Sequence, residues 1–249
     1  MPKGYLILLS LVLATVALFA ILSGPVCDRL LLLSVEAKKA AQKLKPRRTV
    51  EQVIRTYGPD ARQRMKPWFT AQAVAYPPSK LTLLGLKEEK LFLVFAPDED
   101  GRMKKVQTYQ VLAASGDAGP KLKQGDCQVP EGFYKIELLN PNSTYHLSMR
   151  VNYPNSEDRK HARAEGRSNL GGDIMIHGSN VSIGCIALGD EAIEEVFVLV
   201  HDVGLENVDV ILAPKNLTAK NAEVDTTYLP DWVPGLYKRL KVALGQLPL

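Results

Sequence analysis

The stretch Gly171-Gly172-Asp173-Ile174-Met175-Ile176-His177-Gly178-Ser179-Asn180-Val181-Ser182-Ile183-Gly184-Cys185 holds the residues best suited to covalent chemistry. A thiol attacks carbonyls as its thiolate, so it needs a base or a neighbouring cation. His177 stands eight residues before Cys185. On one straight strand the two would lie roughly 26 Å apart. The chemistry therefore requires the chain to turn back between them, and Gly178-Ser179-Asn180 supplies turn residues. Gly184 lets the backbone approach a substrate closely, and its amide and that of Cys185 are candidate oxyanion-hole donors. No Lys or Arg occurs between Arg167 and Lys215. Within this segment, then, only His177 can accept the thiol proton or supply positive charge. Spacing alone leaves a second reading open, a buried structural cysteine beside a hydrogen-bonded histidine.

The elements that must position this pair read as short strands followed by a helix. Leu91–Phe95 is a compact apolar run ending in the acidic turn Pro97-Asp98-Glu99-Asp100-Gly101, with Val106–Leu112 as its hairpin partner. Phe133–Leu139, His146–Val151, Asp173–His177 and Val208–Leu212 are further strands. Ile193, Val196, Phe197 and Val200 recur at helical spacing behind Asp190, which is placed to cap that helix. Upstream, residues 50–75 predict one or two helices, interrupted at Gly58-Pro59 and closed by Pro77-Pro78. The expected fold is mostly β with flanking helices.

The N-terminus is different in kind. Tyr5 to Val26 carries no charge and is long enough to span a bilayer as a helix. It predicts a membrane anchor, with a cleaved signal segment as the alternative. Residues 28–80 then form a basic tether and helical region, 81–214 a catalytic domain, and 215–249 a C-terminal extension with a short helix and no chemical signature. The formal net charge of +4 is unevenly placed. Residues 1–48 hold 8 Lys/Arg against 2 Asp/Glu, and the rest hold 23 against 25. The basic excess belongs to the tether and does not indicate a nucleic-acid partner. The histidines at 146, 161, 177 and 201 lack metal-ligand spacing, no Cys-x-x-Cys pair exists, and no phosphate-cradling glycine loop follows a strand, so no metal or other cofactor is expected.

His177-Gly178 followed by Ser182-Ile183-Gly184-Cys185 resembles the active-site signature of the L,D-transpeptidase catalytic domain, the YkuD-type family. Gly125-Asp126-Cys127-Gln128-Val129-Pro130-Glu131-Gly132-Phe133-Tyr134 resembles a second family segment, with Val129 in place of a threonine. Leu139-Asn140-Pro141, Tyr145-His146-Leu147 and Asn152-Tyr153-Pro154-Asn155 are similar to the YafK-like branch. The resemblance covers roughly 86–214 and implies a β-sandwich preceded by an N-terminal helical region. It implies Cys185 as nucleophile and His177 as its base, with Gly184, Gly178 and Ser182 supporting the turn and the oxyanion site. His146 and Arg150 are substrate-binding candidates. Many members have His where this chain has Ile183 and Arg where it has Ala187, and both departures fit the YafK-like branch. The implied substrate is a peptidoglycan stem peptide, at the periplasmic or extracytoplasmic face. Hydrolysis of diaminopimelate-linked bonds, such as a lipoprotein attachment, is the favoured activity. Transpeptidation is the alternative, and a non-catalytic wall-binding module is a second one. A papain-like protease is disfavoured, because its cysteine opens a helix and precedes its histidine.

Overall fold

The computed structural model describes residues 46–249 apart from Ile183. The apolar run 5–26 and the first part of the tether lie outside the described residues. Residues Pro46–Leu249 form one compact unit. Among the described residues no helix is long and apolar enough to cross a membrane.

The chain begins with helix α1 (Val50–Ala71), opened by a reciprocal capping box between Thr49 and Gln52. The interruption expected at Gly58-Pro59 does not occur, and α1 runs through both Pro59 and Pro67. Its buried face continues on either side of the proline, through Val53, Ala61, Met65 and Phe69. Packing along that whole face outweighs the one backbone hydrogen bond that Pro59 cannot donate.

Eight strands follow: β1 (Leu81–Leu86), β2 (Leu91–Pro97), β3 (Met103–Gln110), β4 (Gly132–Ser143), β5 (His146–Val151), β6 (Met175–His177), β7 (Ile186–Ala187) and β8 (Val208–Ala213). Their order is β3-β2-β1-β8-β4-β5-β6-β7. The twelve-residue β4 belongs to two layers. Gly132–Lys135 pairs with β8, and the part from Ile136 onward pairs with β5 across two register shifts. Beyond β7 the sheet meets the chain that leaves β3. Ala113 bridges Ala187, the Leu112 amide donates to the Ala187 carbonyl at 2.8 Å, and the Ala187 amide donates to the Ala113 carbonyl at 2.9 Å.

The first layer is buried on both faces, which is why β1 is fully buried rather than alternating. Leu81 and Leu83, with Val208, Val210 and Leu212, join the main core. Leu84 and Leu86, with Phe95 and Ile211, join a second core beneath helix α4 (Val233–Leu244). Helix α3 (Asp190–Val203) fills the main core with Ile193, Val196, Phe197 and Val200, all completely buried. Burying each such side chain contributes about 1.5–3 kcal/mol. Helix α1 lies on α3 and is tied to it by charge. Arg62 grips Asp202 through Nε and Nη2, both at 2.7 Å. Arg64 Nε meets the buried Glu195 carboxylate at 2.5 Å, whose other oxygen accepts from Tyr109 at 3.0 Å. A short helix α2 (Ser156–Ala164), capped by Asn155 and Asp158, follows β5.

A buried ion pair joins these parts. Glu131 accepts from Lys87 Nζ at 3.0 Å and the Gly119 amide at 2.9 Å through one oxygen, and from the Tyr237 hydroxyl at 2.7 Å through the other. One carboxylate thus connects the β1–β2 turn, the loop before β4 and helix α4. Desolvation pulls the Lys87 ammonium below its ordinary value, with Glu131 opposing that shift. Removing one partner leaves an uncompensated buried charge. Glu131→Leu is expected to lower unfolding stability by about 3–5 kcal/mol. The Lys87→Met/Glu131→Leu double variant should recover part of that loss, and urea denaturation at pH 7 of both proteins measures the difference.

Candidate active site

The turn between His177 and Cys185 places two very short strands side by side. Strands β6 and β7 are parallel, with Ile176 opposite Ile186 and His177 opposite Ala187. Opposite residues in a sheet project to the same side. Ile176 and Ile186 face the core, so His177 and Ala187 share the other side. Cys185 precedes β7 by one residue and is diagonal to His177. From strand spacing and rise, such diagonal Cα atoms stand roughly 8 Å apart. The chain reversal required by the sequence is therefore achieved by parallel pairing.

His177 is 2% exposed. Its ring stacks on Tyr145, with centroids 4.6 Å apart. Its Nδ1 lies 2.6 Å from the Gly178 carbonyl. A carbonyl only accepts, so Nδ1 carries the proton and Nε2 is left as the acceptor. The Gly178 carbonyl thus orients the imidazole in the tautomer that a base for the thiol requires. Gly178 itself is constrained by close approach. A Cβ there would stand 2.6 Å from Asp190 Oδ1 and 2.8 Å from the Tyr145 carbonyl. Asp190, expected as the cap of α3, is instead its first residue, and Gly189 is the N-cap without a side-chain bond. The Asp190 carboxylate is used on the turn, accepting from the Ser179 amide at 2.7 Å.

The Cys185 sulfur receives the Met175 amide at 3.4 Å and faces the Asp173 carbonyl at 3.7 Å. It is the free thiol among the described residues, and Cys127 is disulfide-bonded. Ser182 Oγ accepts from the Cys185 amide at 3.0 Å and donates to the Cys185 carbonyl at 2.7 Å. Gly184 adopts φ +78°, and its amide donates to Ser115 Oγ at 2.6 Å, which donates in turn to the Cys127 carbonyl at 2.7 Å. The two amides expected to form an oxyanion hole are therefore occupied by hydroxyls, because two serines close the turn that leads to Cys185. An oxyanion would have to replace them. Ile183 lies outside the described residues.

The two substrate-binding candidates separate. His146 does not face this site. Its Nε2 lies 2.8 Å from Glu194 of α3 and its ring meets Tyr57 of α1 edge-on, so it joins β5 to the helices. Arg150 is opposite Met175 on the sheet. Its Nε lies 2.6 Å from Glu137 and its Nη1 is 3.9 Å from Asp173, beside the Cys185 sulfur. Sequence reasoning missed Ser115, Tyr145 and Lys121. Ser115 and Lys121 lie in the loop before β4, and no spacing rule links them to Cys185. Tyr145 lies within the family-like stretch around His146, which is the only signal for it.

Residues 85–211, half of the chain, match the family model of the L,D-transpeptidase catalytic domain, YkuD. The chain belongs to this family. Over 121 residues it is 37% identical to the Escherichia coli K12 protein named "Putative L,D-transpeptidase YafK", a match covering 47% of each chain. The protein of the same name from E. coli O157:H7 matches equally. The chain spans about half the length of these curated relatives. Among solved structures, the helical cell shape determining protein Pgp2 from Campylobacter jejuni is 27% identical at TM-score 0.44, over 55% of this chain and 48% of that one. Bd1075 from Bdellovibrio bacteriovorus is 18% identical at TM-score 0.42, over 70% and 58%.

Burial sets the protonation of the pair. It pushes the Cys185 thiol above its ordinary value, while the Met175 amide and the Lys121 charge pull it back. Burial lowers His177, opposed by the bond to Gly178. Near neutral pH the site therefore holds a thiol and a neutral imidazole rather than an ion pair. Alkylation of Cys185 by iodoacetamide is expected to rise with pH through a midpoint above the ordinary thiol value of 9.0. Rapid alkylation at pH 6 would instead indicate a resting thiolate. Gly178→Ala should cost about 1–3 kcal/mol of stability through overpacking against backbone, seen as a lowered thermal midpoint.

Proposed function

We propose that the chain is a cysteine-dependent acyl-transfer enzyme acting on peptidoglycan stem peptides at the extracytoplasmic face, with residues 1–27 as its membrane anchor or export segment. The observation that carries this reading is the Nδ1-protonated His177, fixed on the Gly178 carbonyl and set diagonally to a free Cys185 thiol. Cys185 Sγ attacks a peptide carbonyl as Nε2 of His177 takes the thiol proton. A carbon–sulfur bond forms, the carbon–nitrogen bond breaks, and the imidazolium returns its proton to the leaving amine. Water or a second amine then resolves the thioester. Arg150, at the edge of the site, is suited to an anionic substrate carboxylate.

Hydrolysis of diaminopimelate-linked bonds, including a lipoprotein attachment, is the favoured outcome. Its support is that Ala187 and Ile183 depart together from the wider family pattern, whereas the curated relatives carry the name of a transpeptidase. Transpeptidation through the same thioester is the second reading. A non-catalytic wall-binding module would have no need of the orientated base. The test compares full-length protein and Cys185→Ala on lipoprotein-linked and free peptidoglycan, with mass spectrometry of the products. Wild-type protein is expected to release the linked peptide, and the variant to leave it intact. New cross-linked muropeptides would establish the transferase reading, and undiminished turnover by Cys185→Ala would reject both enzymatic readings.

The pH dependence follows from the lowered His177. Its neutral, proton-accepting form is present above its depressed value and is lost as pH falls through it. The acid limb of kcat/KM is expected below the ordinary imidazole value of 6.5. A rate already falling between pH 8 and 7 would contradict this assignment.

A further inference from the structure

We propose that the groove between α1, β3 and the start of α3 is a binding subsite for the neutral sugar chain of the substrate, a strand of N-acetylated sugars. The proposal rests on the reading of the substrate as peptidoglycan, in which the stem peptide branches from such a strand. The groove is an open cavity of about 570 Å³, a volume typical of small-ligand sites. Strand β3 ends the sheet order, and the groove opens between that strand and α1.

Its lining combines an aromatic corner with a polar rim. Trp68 of α1 and Tyr109 of β3 meet nearly at right angles, with centroids 6.2 Å apart and an interplanar angle of 80°. Both are only partly buried. Such a corner packs against the C–H face of a sugar ring. Gln107 stands two residues before Tyr109 on β3 and shares its face. Its Oε1 accepts the Thr108 amide at 2.8 Å, which leaves its amino group as a donor. The exposed Glu191 carboxylate only accepts. Hydroxyls both donate and accept, so a sugar satisfies both kinds of group. The deeper groups are already held. Glu195 accepts from Arg64 Nε at 2.5 Å and from the Tyr109 hydroxyl at 3.0 Å, so the tyrosine ring is fixed before a ligand arrives.

Charge narrows the ligand class. The lining holds the carboxylates of Asp190, Glu191 and Glu195 against the guanidinium of Arg64. That excess repels anions, so neither a phosphate nor the carboxylates of a stem peptide suit the groove. Asp190 is engaged by the Ser179 amide, and Glu195 by Arg64 and Tyr109. Glu191 is then the one carboxylate left to a ligand, too few to clamp a strongly cationic chain. A neutral, hydroxyl-rich chain fits this balance. Position favours the same occupant. Leu188 and Gly189 line the groove and follow Cys185 by three and four residues. A chain extends by at most about 3.6 Å per residue, so their Cα atoms lie within roughly 11 and 14 Å of that of Cys185. That separation is within the reach of a peptide branching from a strand in the groove.

The experiment uses tryptophan emission. The chain has two tryptophans, Trp68 and Trp232, and Trp232 stacks on His161 of α2. Full-length Trp232→Phe protein therefore reports on Trp68 alone. Chitotetraose, a neutral chain of N-acetylated sugars, is expected to change that emission saturably. Gln107→Ala and Glu191→Ala, made in the same background, should each weaken the binding by about two- to tenfold. Tetralysine is the rival probe. A saturable response to chitotetraose that the variants weaken supports the subsite, whether or not tetralysine also binds. No saturable response to chitotetraose, a response to tetralysine alone, or unchanged affinity in both variants overturns the proposal. Should one variant fail to fold, the other decides in the same way. Binding requires no turnover, so this outcome is independent of whether Cys185→Ala retains activity.

Discussion

The site depends on a parallel pairing that is too short to hold itself. Strand β6 has three residues and β7 has two, and the link between them is shorter than the crossover that parallel strands ordinarily need. The pairing survives because its surroundings enforce it. Strand β5 holds one edge of β6 from Ser148 to Arg150, and the chain leaving β3 holds β7 through Ala113. Between them the turn is closed by side chains: Asp190 on the Ser179 amide, Ser182 on Cys185, and Ser115 on Gly184. Each group satisfies a backbone amide that would otherwise be left without a partner next to the core.

This explains which parts were legible in the sequence. Strand β5 and the apolar face of α3 were read correctly because each carries a local period. Strand β1 was not, because Leu81-Thr82-Leu83-Leu84-Gly85-Leu86 is buried on both faces and shows no alternation. Of the one or two helices open over 50–75, the structure has one, because Gly58-Pro59 is only a local break signal, whereas the face of α1 against α3 is a property of the tertiary structure. The His177–Cys185 spacing was readable because both residues lie on one turn. Ser115 was not, because it reaches the Gly184 amide from more than fifty residues away, across a strand order that no periodicity encodes. His146 shows the same limit: its neighbour Tyr145 stacks on His177, while its own side chain meets Glu194 and Tyr57.

Most ion pairs of this fold lie at its surface, but among the described residues three charged ones are held out of water. Glu131, Glu195 and Lys121 are all nearly inaccessible, and each has a partner of opposite charge or a backbone group fixed by the loops. Such pairs add little net stability compared with apolar packing, but they are costly to misalign. Glu131 and Lys121 therefore favour one arrangement of the loop before β4 over its alternatives, and Glu195 does the same for the packing of α1 on α3. The loop before β4 also packs on the turn before Cys185, where its Ser115 holds the Gly184 amide, so the charges that select its conformation also place that serine.

The carboxylate of Glu131 has one further consequence. It lies in the segment bearing the family signature, yet it binds Tyr237 of α4, beyond the matched residues 85–211. The recognisable sequence unit and the cooperative folding unit are thus not the same length. A transplant of the catalytic segment into another chain that stopped at β8 would expose the apolar underside of the first layer and leave Glu131 without one of its donors. For this protein, the family segment and the C-terminal helix are coupled through the fold.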